Sequence, residues 1–538
     1  MNSVSREHRL RVGGYSTQQA NYMMLPEDDS EAKGELTHIC HTSSNGNALP
    51  YAAVREGPTT LRNHYGSLGE TCWDEEEQEE DNKNISQDTS RTYLSRFWIL
   101  FISSCMCWLH CVLWSTWGPI SESMNEAFDG WGSTTVAMMI NWGTIMFVMW
   151  FIPMAWATQR CGLRPAMVCC GGLAALSTCI RVFTSVTPTF TILCHISAIL
   201  VGMASTLALS APMMIATDWF PLHERTTAFG VMMGASQLGG LGSYLEPLLV
   251  RLPGPHVSIQ DIQNDVMCLM YIEAGISVLL LLAILAYFPS KPPTPPSVTS
   301  ASEKVDFLSG LRALAKNKQF MVMLMSYGLC VGPPVVWITI LNYSLLPLGF
   351  HQDNTMWVGL ASVLASSVSP VIAGRLNDLM QGHMKLLLIL LMFTSSFCFY
   401  WFLLITYQVI PLSTWQVYVS VVVSLACNYA TIPLFYELGE DLAFPASDIL
   451  VSSVITAADN ICSVSFLIIT SIPNIGYHWM TYALTLTSSV AIIPLLCIKF
   501  NYTRSNLDTV SIGSSSSSSN SSKGNSRRRI NSSCSISS

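Results

Sequence analysis

Charge is scarce in this chain. Asp, Glu, Lys and Arg make up only 12% of its 538 residues, against about a quarter in soluble domains, so most of its length cannot form a water-facing globular surface. No run matches G-x-x-x-x-G-K-[ST], which excludes an ATP-driven engine of the P-loop kind. No serine, cysteine or histidine arrangement has a catalytic pattern, and the seventeen cysteines show neither metal-ligand spacing nor a disulfide frame. The expectation is therefore a non-enzyme without cofactor or metal. The net charge of −8 offers no basic surface for nucleic acid. No cleavable signal peptide is visible, and the first apolar run starts so far in that it is expected to act as the targeting element itself.

What the chain does have is long apolar runs. About twelve segments of near twenty residues follow one another, each long enough to cross a hydrocarbon core of roughly 30 Å. They are predicted near Phe97–Ile120, Thr134–Ala157, Ala166–Phe183, Thr189–Ile215, Thr226–Val250 and Met267–Phe288, then Gln319–Leu346, Thr355–Leu376, Leu386–Thr406, Ser413–Tyr436, Asp448–Ile472 and Met480–Cys497. Most cysteines, including Cys105, Cys107, Cys111, Cys169 and Cys170, fall inside these runs and read as small apolar residues. The organisation expected is an acidic cytosolic tail over 1–96, a six-helix lobe over 97–288, a proline-rich linker over 289–318, a second six-helix lobe over 319–500, and a serine-rich tail over 501–538. Low hydrophobicity makes both tails poor candidates for packed structure. Basic residues collect in the loops after even spans (Arg160, Arg164, Arg225, Lys291, Lys304, Arg312, Lys316, Lys318, Arg375 and Lys385), which orients both termini to the cytosol. Arg181 and Arg251, at odd-span ends, are expected to snorkel.

Two loops occupy equivalent places in the halves. Gln159-Arg160-Cys161-Gly162-Leu163-Arg164 follows the second span, and Gly374-Arg375-Leu376-Asn377-Asp378 follows the eighth. Each resembles part of the G-x-L-x-D-R-x-G-R loop of the major facilitator superfamily, the first with Gln159 in place of the acid. The resemblance implies an all-α membrane fold of twelve spans in two six-helix lobes, with Arg160, Arg164 and Asp378 in gating. Gly230, Gly234, Gly239, Gly240 and Gly242 in the fifth span would let a partner helix come close.

Four stretches point further. They are Leu113-Trp114-Ser115-Thr116-Trp117-Gly118-Pro119-Ile120, Trp219-Phe220 with Glu224-Arg225-Thr226-Thr227-Ala228, Ala286-Tyr287-Phe288-Pro289 with its following prolines, and Pro433 to Glu437 with Phe444-Pro445 beyond. Together they resemble solute carrier family 49, and within it the member 4 branch. That resemblance implies a multi-pass carrier of the lysosomal membrane, with proton-driven transport of pyridoxine, a vitamin B6 form. Choline or haem carriage, seen in other branches, a plasma-membrane location, and a carrier-like sensor that does not turn over stay open.

Polar groups within spans are costly in lipid and mark cavities. His110, Trp114 and Trp117 recur at i, i+4 and i+7 and are expected on one helical face. A tryptophan face attracts a cation by roughly 0.5–2 kcal/mol, although an interfacial aromatic belt gives the same pattern. Asp459-Asn460 sits midway in the eleventh span and Gln237 in the fifth. By the resemblance, Trp114, Gln237 and Asn460 correspond to family substrate positions and Glu437 to a gate or packing acid. Glu273 and Glu246 lie toward the lumenal ends of their spans, with His195 at a similar depth. With Asp459, the two glutamates are the candidates for proton coupling, since burial disfavours an ionised carboxylate. The expected partners are a small-molecule substrate, protons and the bilayer.

Tyr22-Met23-Met24-Leu25 fits a Y-x-x-Φ sorting pattern, in which Tyr22 and Leu25 would engage a clathrin adaptor; Tyr51–Val54 and Tyr65–Leu68 fit it as well. If Tyr22–Leu25 is the dominant signal, Tyr22→Ala raises the cell-surface fraction in a biotinylation assay without changing total yield. An unchanged distribution moves the assignment to Tyr65–Leu68.

Overall fold

A computed structural model describes residues 92–301, 304–345, 348–349, 352–380, 382–470, 478–498 and 504. Tyr22 and Leu25 fall outside them, as does nearly all of both tails. The amino-terminal lobe runs α1 (Ser95–Ser115), α2 (Ser121–Ala127), α3 (Ser133–Cys161), α4 (Leu163–Arg181), α5 (Thr189–Trp219), α6 (Leu222–Gly239), α7 (Gly242–Leu249) and α8 (Ile259–Ala286). The linker carries α9 (Val298–Ala301) and α10 (Phe307–Lys316). The second lobe runs α11 (Lys318–Trp337), a 3₁₀ turn at Ile338–Ile340, α12 (Leu341–Leu345), α13 (Gln352–Leu379), α14 (Met384–Thr406), α15 (Thr414–Ala443), α16 (Asp448–Thr470), α17 (His478–Val490) and α18 (Ile492–Cys497).

Local sequence explains the helix ends. Ser258 and Asp261 form a reciprocal capping box at the start of α8, and Asn317 accepts from the Gln319 and Phe320 amides at the start of α11. Between α3 and α4 the chain turns at Gly162 with φ of +89°, a conformation that a side chain would strain.

Among the described residues, eleven helical stretches are long and apolar enough to cross a membrane, the last of them joining α17 and α18. The twelfth crossing was expected as one helix over Thr226–Val250. It is instead divided between α6 and α7, because the chain turns at Gly240 and Leu241, where Gly240 N–H bonds back to the Gln237 carbonyl at 2.9 Å. The last crossing is similarly interrupted between α17 and α18. The linker is more structured than its prolines imply: α10 buries Phe307 and Leu314, and Gln159 donates to the Val305 carbonyl at 2.9 Å.

The lobes meet most closely where α6 lies along α13. A Cβ at Gly230 would overlap the Pro370 carbonyl, and one at Gly234 the Ser367 carbonyl. From the other side, a Cβ at Gly374 would stand 2.5 Å from the Thr226 carbonyl oxygen. These glycines let two backbones touch, the small-residue packing used where lipid offers no hydrophobic drive for helix association. Gly234→Ala should therefore cost about 1–3 kcal/mol through overpacking and lower the melting temperature of the purified protein. Gly275→Ala is the control, because nothing lies within 4 Å of that position, and it should melt like the parent.

Candidate functional site

The junction of the lobes holds a set of polar aromatic groups. Tyr327 on α11 and Tyr429 and Tyr436 on α15 are each 2–3% exposed. Tyr436 lies edge-on to Tyr327, with ring centres 5.8 Å apart, and against Phe229 of α6 at 4.7 Å. Its hydroxyl is 2.6 Å from the Thr456 hydroxyl of α16. Gln237 of α6 and Asp459 of α16, far apart in sequence, both come near Tyr429, one from each lobe.

Other expected substrate residues are placed differently. Asn460 turns back on its own helix, its Nδ2 donating to the Thr456 carbonyl at 2.8 Å. The Trp114 indole lies against α3, where a Cβ at Gly143 would sit 2.8 Å from its Cδ1. His110 lines a small apolar chamber inside the amino-terminal lobe with Leu109, Cys170 and Ala204, and its Nε2 is enclosed without a hydrogen-bond partner. The expected common face of His110, Trp114 and Trp117 ends early, because α1 stops at Ser115. Trp117 instead packs on Trp131, with ring centres 5.2 Å apart.

At one end of the same lobe, Glu246 and Glu273 converge on Thr116. Arg181 was expected to snorkel; it is 1% exposed and its Nη2 stands 2.8 Å from Glu273 Oε2. Buried there, its charge requires the carboxylate, because an unpaired buried ion would cost several kcal/mol. The sequence signal that could have found this pair is simple: one basic residue at the end of the third span and one acid inside the sixth.

A second polar network joins the opposite ends of the helices. Asp378 at the end of α13 accepts from the Thr226 and Thr227 amides of α6, at 3.2 and 2.7 Å, and from the Thr227 hydroxyl at 2.5 Å. Glu437 of α15 accepts from Arg504 at 2.6 Å, and Arg225 of α6 approaches it from the other lobe at 3.9 Å. Arg504 was not foreseen as a site residue. Burial works against its charge, but Glu437, Glu440, Asp441 and Asp448, all within 4.0 Å, reverse that and raise its pKa. Lys304 of the linker pairs with Asp448 at 3.2 Å. Arg160 and Arg164 stand outside this network: both are exposed, Arg160 over the Trp156 ring and Arg164 bonded through its amide to Ser290. Among the described residues no group of three or more His, Cys, Asp or Glu side chains could hold a metal ion.

Asp378 ties the lobes through charge-assisted bonds, worth about 1.5–3 kcal/mol each to a charged group. Asp378→Ala should therefore shift the population toward a cytosol-open state by roughly tenfold or more. Interlobe distances between spin labels at the cytosolic ends of α6 and α15 would show it; an unchanged distribution removes Asp378 from the gate.

Residues 96–464 match the Major Facilitator Superfamily. The solute carrier family 49 member 4 homolog of Xenopus tropicalis is 28% identical over 432 residues, covering 78% of this chain and 94% of its own length. The human choline/ethanolamine transporter FLVCR2 is 23% identical over 389 residues, covering 69% of this chain and 71% of its own. Among solved structures, the superfamily transporter FucP in its outward conformation superposes with a TM-score of 0.59 at 11% identity, over 75% of this chain and 99% of FucP. The Escherichia coli xylose transporter XylE in a partially occluded inward-open form gives 0.53 at 16% identity, over 75% of this chain and 98% of XylE. With two lobes meeting around Tyr429, the chain belongs to the major facilitator superfamily, and it is similar to solute carrier family 49 member 4 homologs.

Proposed function

We propose that the protein is a secondary active carrier of the lysosomal membrane that exports pyridoxine, or a similar small organic cation, to the cytosol by proton-coupled alternating access. The observation that carries this reading is the buried aromatic junction between the lobes, where Tyr436 of α15 packs on Phe229 of α6 and edge-on to Tyr327 of α11, with Gln237 and Asp459 close by. Carriers of this repeat architecture bind at such a midplane junction. A pyridinium or ammonium group would gain there from the Asp459 carboxylate and from aromatic faces, each worth roughly 0.5–2 kcal/mol. Trp114 is the tryptophan assigned to that role, with Asn460 as a polar wall that a rotamer change would turn inward. Trp117 and His110 act in support of α1.

The gate in this reading is Asp378 with Glu437 and Arg225, and Arg160 and Arg164 brace the loop beside it. Both termini face the cytosol, where Tyr22 and Leu25 would meet a clathrin adaptor; without that signal the plasma membrane is the destination. A second reading, choline or ethanolamine as substrate, is favoured by the similarity to choline/ethanolamine transporters at 23–24% identity.

The test is radiolabelled uptake of pyridoxine, choline and haem by cells carrying a surface-directed form, at acidic and neutral external pH. Acid-stimulated, concentrative pyridoxine uptake is expected. Trp114→Ala should weaken apparent affinity by roughly two- to thirtyfold at every pH. Accumulation of choline or haem instead would reassign the substrate, and saturable binding without accumulation would make the protein a sensor.

A further inference from the structure

We propose that Glu246, Glu273 and Arg181 form a single proton site at the lumenal end of the amino-terminal lobe, with the proton carried on Glu246. The inference rests on the carrier reading above and narrows its coupling step to one of three candidate acids.

Four elements build the site. The turn after α1 supplies Thr116 and Trp117, α4 ends in Arg181, α7 carries Glu246 and α8 carries Glu273. Thr116, Arg181, Glu273 and Glu246 are 0%, 1%, 2% and 3% exposed. Arg181 faces Glu273 at 2.8 Å and lies over the Trp117 ring at 5.4 Å. The Thr116 hydroxyl is 2.8 Å from Glu273 Oε1 and 3.4 Å from Glu246 Oε1. Glu246 Oε2 is fully enclosed and has no hydrogen-bond partner among the described residues.

The other titratable groups near the cluster are Cys111 of α1, which feels Glu246, and Cys194 of α5, which feels Arg181 and Glu273. Neither thiol brings a positive charge. Two carboxylates therefore share one guanidinium, and the second would be an uncompensated buried charge, costing several kcal/mol. A proton on one of them removes that cost. Glu273 already has the cation and the shorter bond from Thr116, so the proton falls to Glu246.

Thr116 has one hydrogen and can donate to one carboxylate at a time. When Glu246 is deprotonated it competes for both Thr116 and Arg181, so proton occupancy decides which helix, α7 or α8, holds the end of α1. Trp114 lies two residues before Thr116. The short helix α7 follows the break at Gly240 and Leu241, which separates it from the tightly packed α6. The site thus links a lumenal proton to the helix that carries the proposed substrate tryptophan.

Infrared difference spectroscopy on the full chain in lipid nanodiscs, between acidic and neutral pH, reads protonated carboxyl groups without any substrate. Glu246→Gln, nearly isosteric, should abolish one protonated-carboxyl band. Glu273→Gln should abolish the same band, because the freed Arg181 then pairs with Glu246 and ionises it. Arg181→Gln should increase the signal, with both acids protonated; should that variant not fold, the two glutamine variants still decide. In the uptake assay, Glu246→Gln should bring the acid-to-neutral rate ratio toward one. A band that survives both glutamine substitutions, or is lost only in Asp459→Asn, overturns the proposal. Because the spectra need no transport, they separate failure of this site from failure of the substrate assignment.

Discussion

A charge inside a bilayer must be matched or neutralised, and that constraint organises the polar interior of this protein. The described spans carry few ionisable groups, and several of the buried ones gather into partnered clusters. Arg181 sits with Glu273 and Glu246, Arg504 with Glu437, Glu440, Asp441 and Asp448, and Asp378 with the Thr226 and Thr227 amides. In hydrocarbon the alternative to each partnership is an exposed ion or an orphaned donor.

The clusters differ in which parts of the protein they join. The Arg181 cluster stays inside a single lobe and would survive rocking of the lobes. The Asp378 and Glu437 network crosses between them: Asp378 belongs to the second lobe and its amide partners to the first, and Arg225 reaches from the first lobe toward Glu437. Parting the lobes at this end would break these bonds, whereas Arg504 and Lys304 can stay with their acids. That division would let the lobes separate without leaving all four carboxylates of the second lobe bare.

Backbone proximity supplies what charge does not. Gly230, Gly234 and Gly374 bring α6 and α13 into direct contact, so the lobes touch through main chain with little side-chain padding. The same helix pair carries the Asp378 bonds at one end. At the other, the chain breaks at Gly240 and starts α7 with its Glu246. The fifth crossing is therefore both the pivot against the second lobe and the carrier of a candidate proton group.

The sequence alone determined the membrane class, the six-plus-six layout and the repeated loop, because span length follows directly from bilayer thickness. It also marked Gln237, Asp459, Glu246, Glu273, Asp378 and Glu437, since polar residues stand out against an apolar run. Which of them meet was decided by tertiary structure. Helical periodicity says which side of a helix a residue faces, not which helix packs there. So Gln237 and Asp459 became neighbours of Tyr429 only when the lobes met, Arg181 found Glu273 rather than the interface, and Trp117 left the expected face because α1 ends at Ser115.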